Sequence, residues 1–290
     1  MKRQSSGESW LKQPAMSQEE FRRFSGFIYD QCGIKMPPAK KTMLTGRLLK
    51  RLRVLGLSSY SEYYDYVCSR EGAANELAHM IDAVTTNKTE FFREAAHFDY
   101  LVDHALPTLL TAGRSSARRK ILVWSAGCSS GEEPYTLAMV LDEFFSSRKD
   151  GDFHVLATDI STRVLETARR GIYPEGAVDS VSQNQKKKYL MRGKGSQKGY
   201  CRVVPELRRK ISFQRLNFMD SDFKLRQPAD VIFCRNVIIY FDRPTQSELF
   251  KKFYACCSSG GYLFIGHSET LHGISELFTP AGTSVYRKPS

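Results

Sequence analysis

The sequence predicts an α/β protein: a mostly parallel sheet flanked by helices, preceded by a small all-α domain and carrying a small antiparallel β insertion. Three observations predict it. From Lys120 onward, apolar strand-like runs alternate with helical patterns, as parallel strands joined by helical crossovers require. Before residue 84 the apolar residues recur at helical spacing only. Between about 171 and 209 a glycine-rich turn lies between two short strand-like runs.

Residues 1–16 read as a flexible polar tail, with Trp10 its one large apolar group. The tail lacks the apolar stretch of a secretory signal. The helical domain takes 17–83. Ser17 followed by Glu19 and Glu20 suits a helix start, with Phe21, Phe24, Phe27 and Ile28 on one face. Gly33 and Pro37-Pro38 break that helix. Leu44, Leu48, Leu52 and Leu55 form the apolar stripe of a second helix, which Gly56 ends. Residues 58–68 and 73–83 read as two more helices. A linker, 84–115, leads into the α/β domain, 116–290. There the expected strands are 120–126, 153–158, 211–216, 229–234, 262–266 and 285–287. The expected helices are 134–145, 164–170 and 245–256.

Composition excludes several classes. With 290 residues, 41% hydrophobic and 26% charged, the chain can bury a core, so disorder is not its state. No apolar run approaches the roughly 18–20 residues of a membrane span, and the chain reads as cytoplasmic. Seven cysteines, an odd count without a CxxC pair, argue against disulfide frameworks and zinc sites. The histidines lack ligand spacing, so no metal is expected. The net charge of +12 favours an anionic partner, whether nucleic acid, anionic lipid or an acidic protein surface.

Ligands of open α/β sheets bind outside the carboxyl ends of the strands, and three groups fall there. The first, residues 125–134, reads SAGCSSGEEP between a strand and a helix. Gly127 and Gly131 allow close backbone approach. It is not GxGxxG, which disfavours a nicotinamide cofactor, and Glu132 and Glu133 would repel a pyrophosphate. They suit a cationic cofactor such as S-adenosylmethionine, or else serve only the helix N-terminus. The second is Asp159, placed to accept both hydroxyls of a ribose, or to cap the next helix unless Ser161 or Thr162 does so. The third is CRNVIIYF, 234–241, with Arg235 and Asn236 where cofactor and substrate should meet. An Arg directly after an apolar strand is hard to bury unless paired.

The segments TTNKTEFFRE (85–94), WSAGCSSGEEPY (124–135), ATDIS (157–161), LNFMD (216–220), FCRNVIIYFD (233–242) and GHSE (266–269) resemble the chemotaxis receptor methyltransferases of the CheR type. The resemblance runs from about residue 17 to the end. It implies a class I methyltransferase (Rossmann-like) sheet with an inserted β-subdomain, and a linker that contributes to the cofactor site. It implies S-adenosylmethionine as methyl donor, S-adenosylhomocysteine as product, and glutamate side chains of chemotaxis receptors as acceptors. Asn87, Thr89 and Arg93 would line the cofactor site. Glu133 would hold the methionyl or a nearby part, Asp159 the ribose, Asn217 and Phe218 would flank the adenine, and Arg235 with Asn236 would complete the pocket. Arg93 and Tyr240 would lie near the transferred methyl.

The acceptor carboxylate is ionised at neutral pH, since Glu titrates near 4.3, so the reaction needs no general base. Arg93 would orient that carboxylate by a loose contact. Tyr240 would give a positioning hydrogen bond, or be only a packed aromatic. On the second helix Lys40, Arg47, Lys50 and Arg51 fall on one arc, a docking face for a glutamate-bearing helical bundle. The turn with Arg192, Gly193 and Gly195 offers an edge strand that, by the resemblance, captures a receptor's C-terminal peptide. The expected protein is a monomer that neither binds nucleic acid nor inserts into a membrane. The rival readings are a nucleic-acid methyltransferase, prompted by the charge but lacking an NPPY-type motif, and a non-catalytic receptor-binding adaptor.

Overall fold

The computed structural model describes residues 14–112, 119–146, 148, 151–270 and 276–290. Residues 1–13 of the expected tail, and 113–118 at the end of the linker, lie outside the described residues. The chain divides into two compact units, residues up to 30 with 36–84, and residues 31–35 with 85–290.

The first unit is all-α. Helix α1 (Gln18–Cys32) opens with a capping box: Ser17 Oγ accepts the Glu20 N–H at 3.1 Å, and the Glu20 carboxylate accepts the Ser17 N–H at 2.7 Å. Phe24 and Ile28 are fully buried, and the Phe24 ring packs against Tyr63 and Tyr64. Helix α2 (Lys41–Leu55) buries Leu44, Leu48 and Leu52, and ends at Gly56 with φ +70°. Helix α3 (Tyr60–Cys68) follows. The stretch expected as one helix over 73–83 is two, α4 (Arg70–Asn75) and α5 (Leu77–Val84). Glu76 lies at the break, its carboxylate taken by Arg51 and Tyr63. A buried acid needs those partners, and the helix yields to the contact.

The second unit opens with α6 (Ala96–Tyr100), a π-turn and α7 (Leu106–Ala112). Then come β1 (Arg119–Ala126), α8 (Glu132–Ser146), β2 (Gly151–Asp159), α9 (Thr162–Arg170), β3 (Ile172–Pro174), α10 (Gln183–Tyr189), β4 (Leu190–Arg192), β5 (Tyr200–Val203) and α11 (Pro205–Arg208). The chain closes with β6 (Ile211–Arg215), β7 (Ala229–Cys234), α12 (Arg243–Cys256), β8 (Cys257–Ile265), β9 (Thr279–Gly282) and β10 (Val285–Arg287). The main sheet has seven strands in the order β6-β2-β1-β7-β8-β10-β9, parallel from β6 through β8, with β10 and β9 antiparallel. This is a Rossmann-like sheet, as the sequence predicts.

Parallel strands are covered on both faces, and β1 shows it residue by residue. Ile121 and Val123 join the core under α8, whereas Leu122, Trp124 and Ala126 join the opposite core under α12. The antiparallel insertion is three-stranded, in the order β3-β5-β4. Its third strand, β3, has only three residues and no periodicity to announce it. Strand β8 starts at Cys257, five residues before the expected Tyr262, directly after α12.

Candidate functional site

The chain runs from β1 outward to β2 and β6, then returns to β7 and β8 on the other side of β1. That reversal opens a crevice at the carboxyl ends of β1 and its neighbours. The loop after β1 is shaped by two glycines. Gly127 has φ +88°, and a Cβ there would lie 2.5 Å from Val237 Cγ2. Gly131 has φ +102°, and its Cβ would lie 2.7 Å from the Tyr173 hydroxyl. The Gly127 and Cys128 N–H groups both donate to Thr158 O, pinning the loop to the end of β2.

Asp159 sits under that loop. Its Oδ2 accepts the Ser129 N–H at 2.8 Å and its Oδ1 accepts the Ser161 N–H at 2.9 Å. Ser161, not Asp159, caps α9. Ser129 Oγ donates to Asn87 O at 3.0 Å, which lays the 85–89 segment along the loop, with Thr89 half-buried in it. Leu216 N–H donates to the backbone carbonyl of Asp159, so Asn217 and Phe218 follow directly from the end of β2. The Asn217 amide is engaged at both ends, donating to Gln31 O at 2.7 Å and accepting the Met219 N–H at 3.1 Å. The Phe218 ring is half-buried against Phe223, Phe241 and Phe253.

Arg235 is the only buried Arg or Lys among the described residues. Its Nε donates to Glu133 Oε2 at 2.8 Å, and its Nη1 donates to Arg93 O at 2.7 Å and to His97 Nδ1 at 3.2 Å. Glu133 Oε1 accepts the Ser125 hydroxyl at 2.7 Å. The carboxylate expected to stand open for a cationic ligand is therefore one half of a buried ion pair. Glu94 completes the group: Oε1 accepts from Asn236 Nδ2 at 3.3 Å, and Oε2, 3.5 Å from Arg235 Nη1, is buried without a hydrogen bond. Burial, then the Arg235 charge, pushes the His97 imidazole down to about 4, so it is neutral at physiological pH. Burial raises the Glu132 carboxyl, which Ser130 Oγ partly offsets at 2.7 Å.

Glu269 organises the other wall. Its carboxylate accepts backbone N–H groups of Asn236 (2.9 Å), Gly266 (2.7 Å) and Ile239 (3.2 Å). Asn236 is held at φ +58°. Tyr240 is half-buried, and its carbonyl accepts the Lys35 N–H at 2.9 Å. Arg93 is half-buried, with Nη1 on Lys88 O at 3.2 Å. Glu94, His97, Ser129 and Glu269 were missed by sequence reasoning. GHSE was noticed, but nothing in a lone Glu announces that it collects backbone donors from two loops.

Glu94, His97 and His267 bring one ligand atom each within 4.8 Å of one another. The Arg235 guanidinium occupies His97 Nδ1 and puts a cation beside that cluster, which opposes a metal ion there.

Residues 87–287 match the CheR methyltransferase SAM-binding domain, and residues 19–85 match the CheR all-alpha domain. The chain belongs to the CheR methyltransferase family. It is 41% identical over 272 residues to the chemotaxis protein methyltransferase of Escherichia coli (strain K12), covering 94% of this chain and 91% of that one. It is 40% identical over 263 residues to that of Borreliella burgdorferi, covering 90% and 92%. Against chemotaxis protein methyltransferase 2 of Pseudomonas aeruginosa the identity is 38%, covering 93% of each chain. The nucleic-acid and adaptor readings give way to this match.

The crevice fits S-adenosylmethionine on its own geometry. Gly127 and Gly131 let the loop after β1 pack closely on Val237 and Tyr173, and Asp159, Glu133 and Glu94 outnumber the one buried guanidinium, an acidic balance that suits a cationic cofactor.

Two expectations about docking meet the first unit's own bonding. Arg51 donates to both oxygens of the buried Glu76, at 2.8 and 2.7 Å, and Arg47 Nη1 donates to Val84 O at 2.6 Å. Both point into their own domain, while Lys50 is exposed and Lys40 half-buried. In the insertion, Gly193 N–H donates to Tyr200 O, Gly195 has φ +57°, Arg192 is exposed, and β4 pairs with β5 alone.

Proposed function

We propose that this CheR-family enzyme transfers the methyl group of S-adenosylmethionine to glutamate side chains of chemotaxis receptors, in the cytoplasm, and releases S-adenosylhomocysteine. The observation that carries the reading is the acid-rich crevice at the strand ends, in which Asp159, Glu133 and Glu94 outnumber the single buried guanidinium of Arg235. Such a field favours a cationic donor over a pyrophosphate.

Bound S-adenosylmethionine supplies an electrophilic methyl on its sulfonium. Asp159 accepts the ribose hydroxyls. Phe218 presents its ring to the adenine, and Asn217 fixes the turn that carries it. Glu133 acts through Arg235, holding the guanidinium that joins the 93–97 segment to the loop after β7. Asn87 and Thr89 line the donor's approach, and Asn236 shapes the opposite wall. Arg93 orients the incoming carboxylate and Tyr240 bounds the methyl. The acceptor is already ionised, so positioning in line at about 3 Å is the main task, and effective molarity can lower the barrier by several kcal/mol. Docking rests on Lys40 and Lys50, with Arg47 and Arg51 lending only their field. The β4 edge with Arg192, Gly193 and Gly195 receives an extended peptide. The enzyme works as a monomer.

The test is transfer of labelled methyl to receptor cytoplasmic fragments. The expected product is a base-labile label released as methanol, lost in Asp159→Ala and Arg93→Ala. A base-stable label, or full activity in both variants, refutes the reading.

A further inference from the structure

The sheet face opposite α8 carries a hollow of about 650 Å³ that the methyl-donor crevice does not use. Its floor is apolar, formed by Leu122 of β1, Leu156 of β2 and Leu225 of the loop before β7. Its rim is cationic, formed by exposed Lys120, Lys224 and Arg226. No acidic side chain lines it among the described residues. Its cationic rim begins at Lys120, six residues before the end of β1 and about 20 Å along the strand at ~3.3 Å per residue, while Gln214, in register with Thr158, marks the end of the hollow nearer the donor crevice.

Two features distinguish it from an ordinary solvated surface. First, a parallel sheet is normally covered on both faces. Here α12 covers Trp124 and Ile232, but no helix lines the hollow among the described residues. Second, the walls are fixed. His154 Nε2 and Ser212 Oγ are hydrogen-bonded at 2.9 Å. Lys224 is held at φ +48° with its N–H on Asp222 Oδ1 at 3.0 Å. Non-glycine residues in that conformation cluster at ligand sites. Of the six among the described residues, four border the donor crevice (Phe92, Glu94, Ser129 and Asn236), and Lys224 stands on this rim.

We propose that the hollow is a second ligand site, for an organic phosphate with a flat or apolar body, the chemistry of a nucleotide. The volume lies within the ~300–1,000 Å³ of small-molecule sites. The leucine floor takes the flat body, the amides of Gln214 and Gln227 meet its polar edge, and the rim cations take the phosphates. An acidic protein segment would need an extended groove rather than this hollow, and it becomes an outcome of the test.

The test measures fluorescence of trinitrophenyl-ATP bound to the full chain, with S-adenosylhomocysteine saturating the donor site. Expected is saturable binding, displaced by ATP and far less well by adenosine or inorganic phosphate. Lys224→Glu with Arg226→Glu weakens it about tenfold or more. The matched surface pair Lys187→Glu with Lys251→Glu changes it by less than about twofold. Gln214→Trp, which fills the hollow, also weakens binding. The proposal is overturned by absence of saturable binding, by binding that appears only when S-adenosylhomocysteine is left out, or by equal loss in both charge-reversal pairs. Displacement by polyglutamate better than by ATP assigns the face to a protein and overturns it as well.

Discussion

Glu133→Gln separates two roles that the geometry makes distinct, gripping the methyl donor and holding Arg235. The Glu133–Arg235 pair is 2.8 Å long, with side chains 11% and 2% exposed. Removing one partner of a buried pair costs about 3–5 kcal/mol, because the other charge stays buried. The amide keeps the volume and one acceptor oxygen, and Glu94 remains 3.5 Å from the guanidinium. The expected loss is therefore about 2–3 kcal/mol. Urea unfolding followed by the fluorescence of Trp124, fully buried beneath α12, reads the transition of the second unit. Calorimetry with S-adenosylmethionine reads the site. Stability and affinity should fall together, because Arg235 also bonds Arg93 O and His97. Adding Arg235→Met together with Glu94→Gln should restore most of the stability, since neither carboxylate then faces a missing cation, but not the affinity. A loss below about 0.5 kcal/mol in the single variant, or no recovery in the triple variant, refutes the coupling.

Three more outcomes follow from named contacts. The His97 imidazole is held down to about 4 against a usual 6.5, so the folded chain binds fewer protons than the unfolded one between those values. Its contribution is complete above about 6.5 and lost as pH falls toward 4, at most about 3 kcal/mol. Urea midpoints of His97→Gln should show a correspondingly shallower fall over that range, and an unchanged slope would refute the assignment. Gly266→Ala places a Cβ 2.6 Å from Asn236 Nδ2 and 2.9 Å from Glu269 Oε2. Overpacking of about 1–3 kcal/mol should appear as a tenfold or greater drop in methyl transfer, measured at saturating donor. Arg51→Met leaves Glu76 buried with Tyr63 as its remaining partner. Thermal melts should show the first unit destabilised by about 3 kcal/mol, whereas a residue serving only to dock a receptor would leave the melt unchanged.

The main strands were legible because each carries a β-branched or aromatic run on both faces, as in Lys120–Ala126 and Ala229–Cys234. The placing of Gly127 and Gly131 in the loop after β1 and of Asp159 at the end of β2 was legible, because each directly follows or closes an apolar run. What failed was pairing across distance. Glu133 and Arg235 are 102 residues apart, and no periodicity links them, so the need of Arg235 for a partner was legible but the identity of that partner was not. Arg51 was read from its helical arc, but its partner Glu76 lies 25 residues away. Strand β9 carries Pro280 and no alternating run, and it pairs only with β10 at an edge, where such a sequence is tolerated.

The proposed transfer to an ionised carboxylate calls for no base, and contacts of similar sequence range supply rigidity in its place. Phe92, Glu94, Ser129 and Asn236 all lie at positive φ around the crevice, a conformation that costs of order 1–3 kcal/mol each. It persists only where neighbours over-determine it. Phe92 N–H is held by Thr136 Oγ1, Ser129 N–H by Asp159 and Asn236 N–H by Glu269. Three of the four strained backbones are thus fixed by hydrogen bonds from elements far off in sequence, before any substrate arrives. When both the nucleophile and the electrophile come ready-charged, the barrier left to lower is mostly orientational. A crevice that has already spent folding energy on holding its loops rigid is the structure that such chemistry requires.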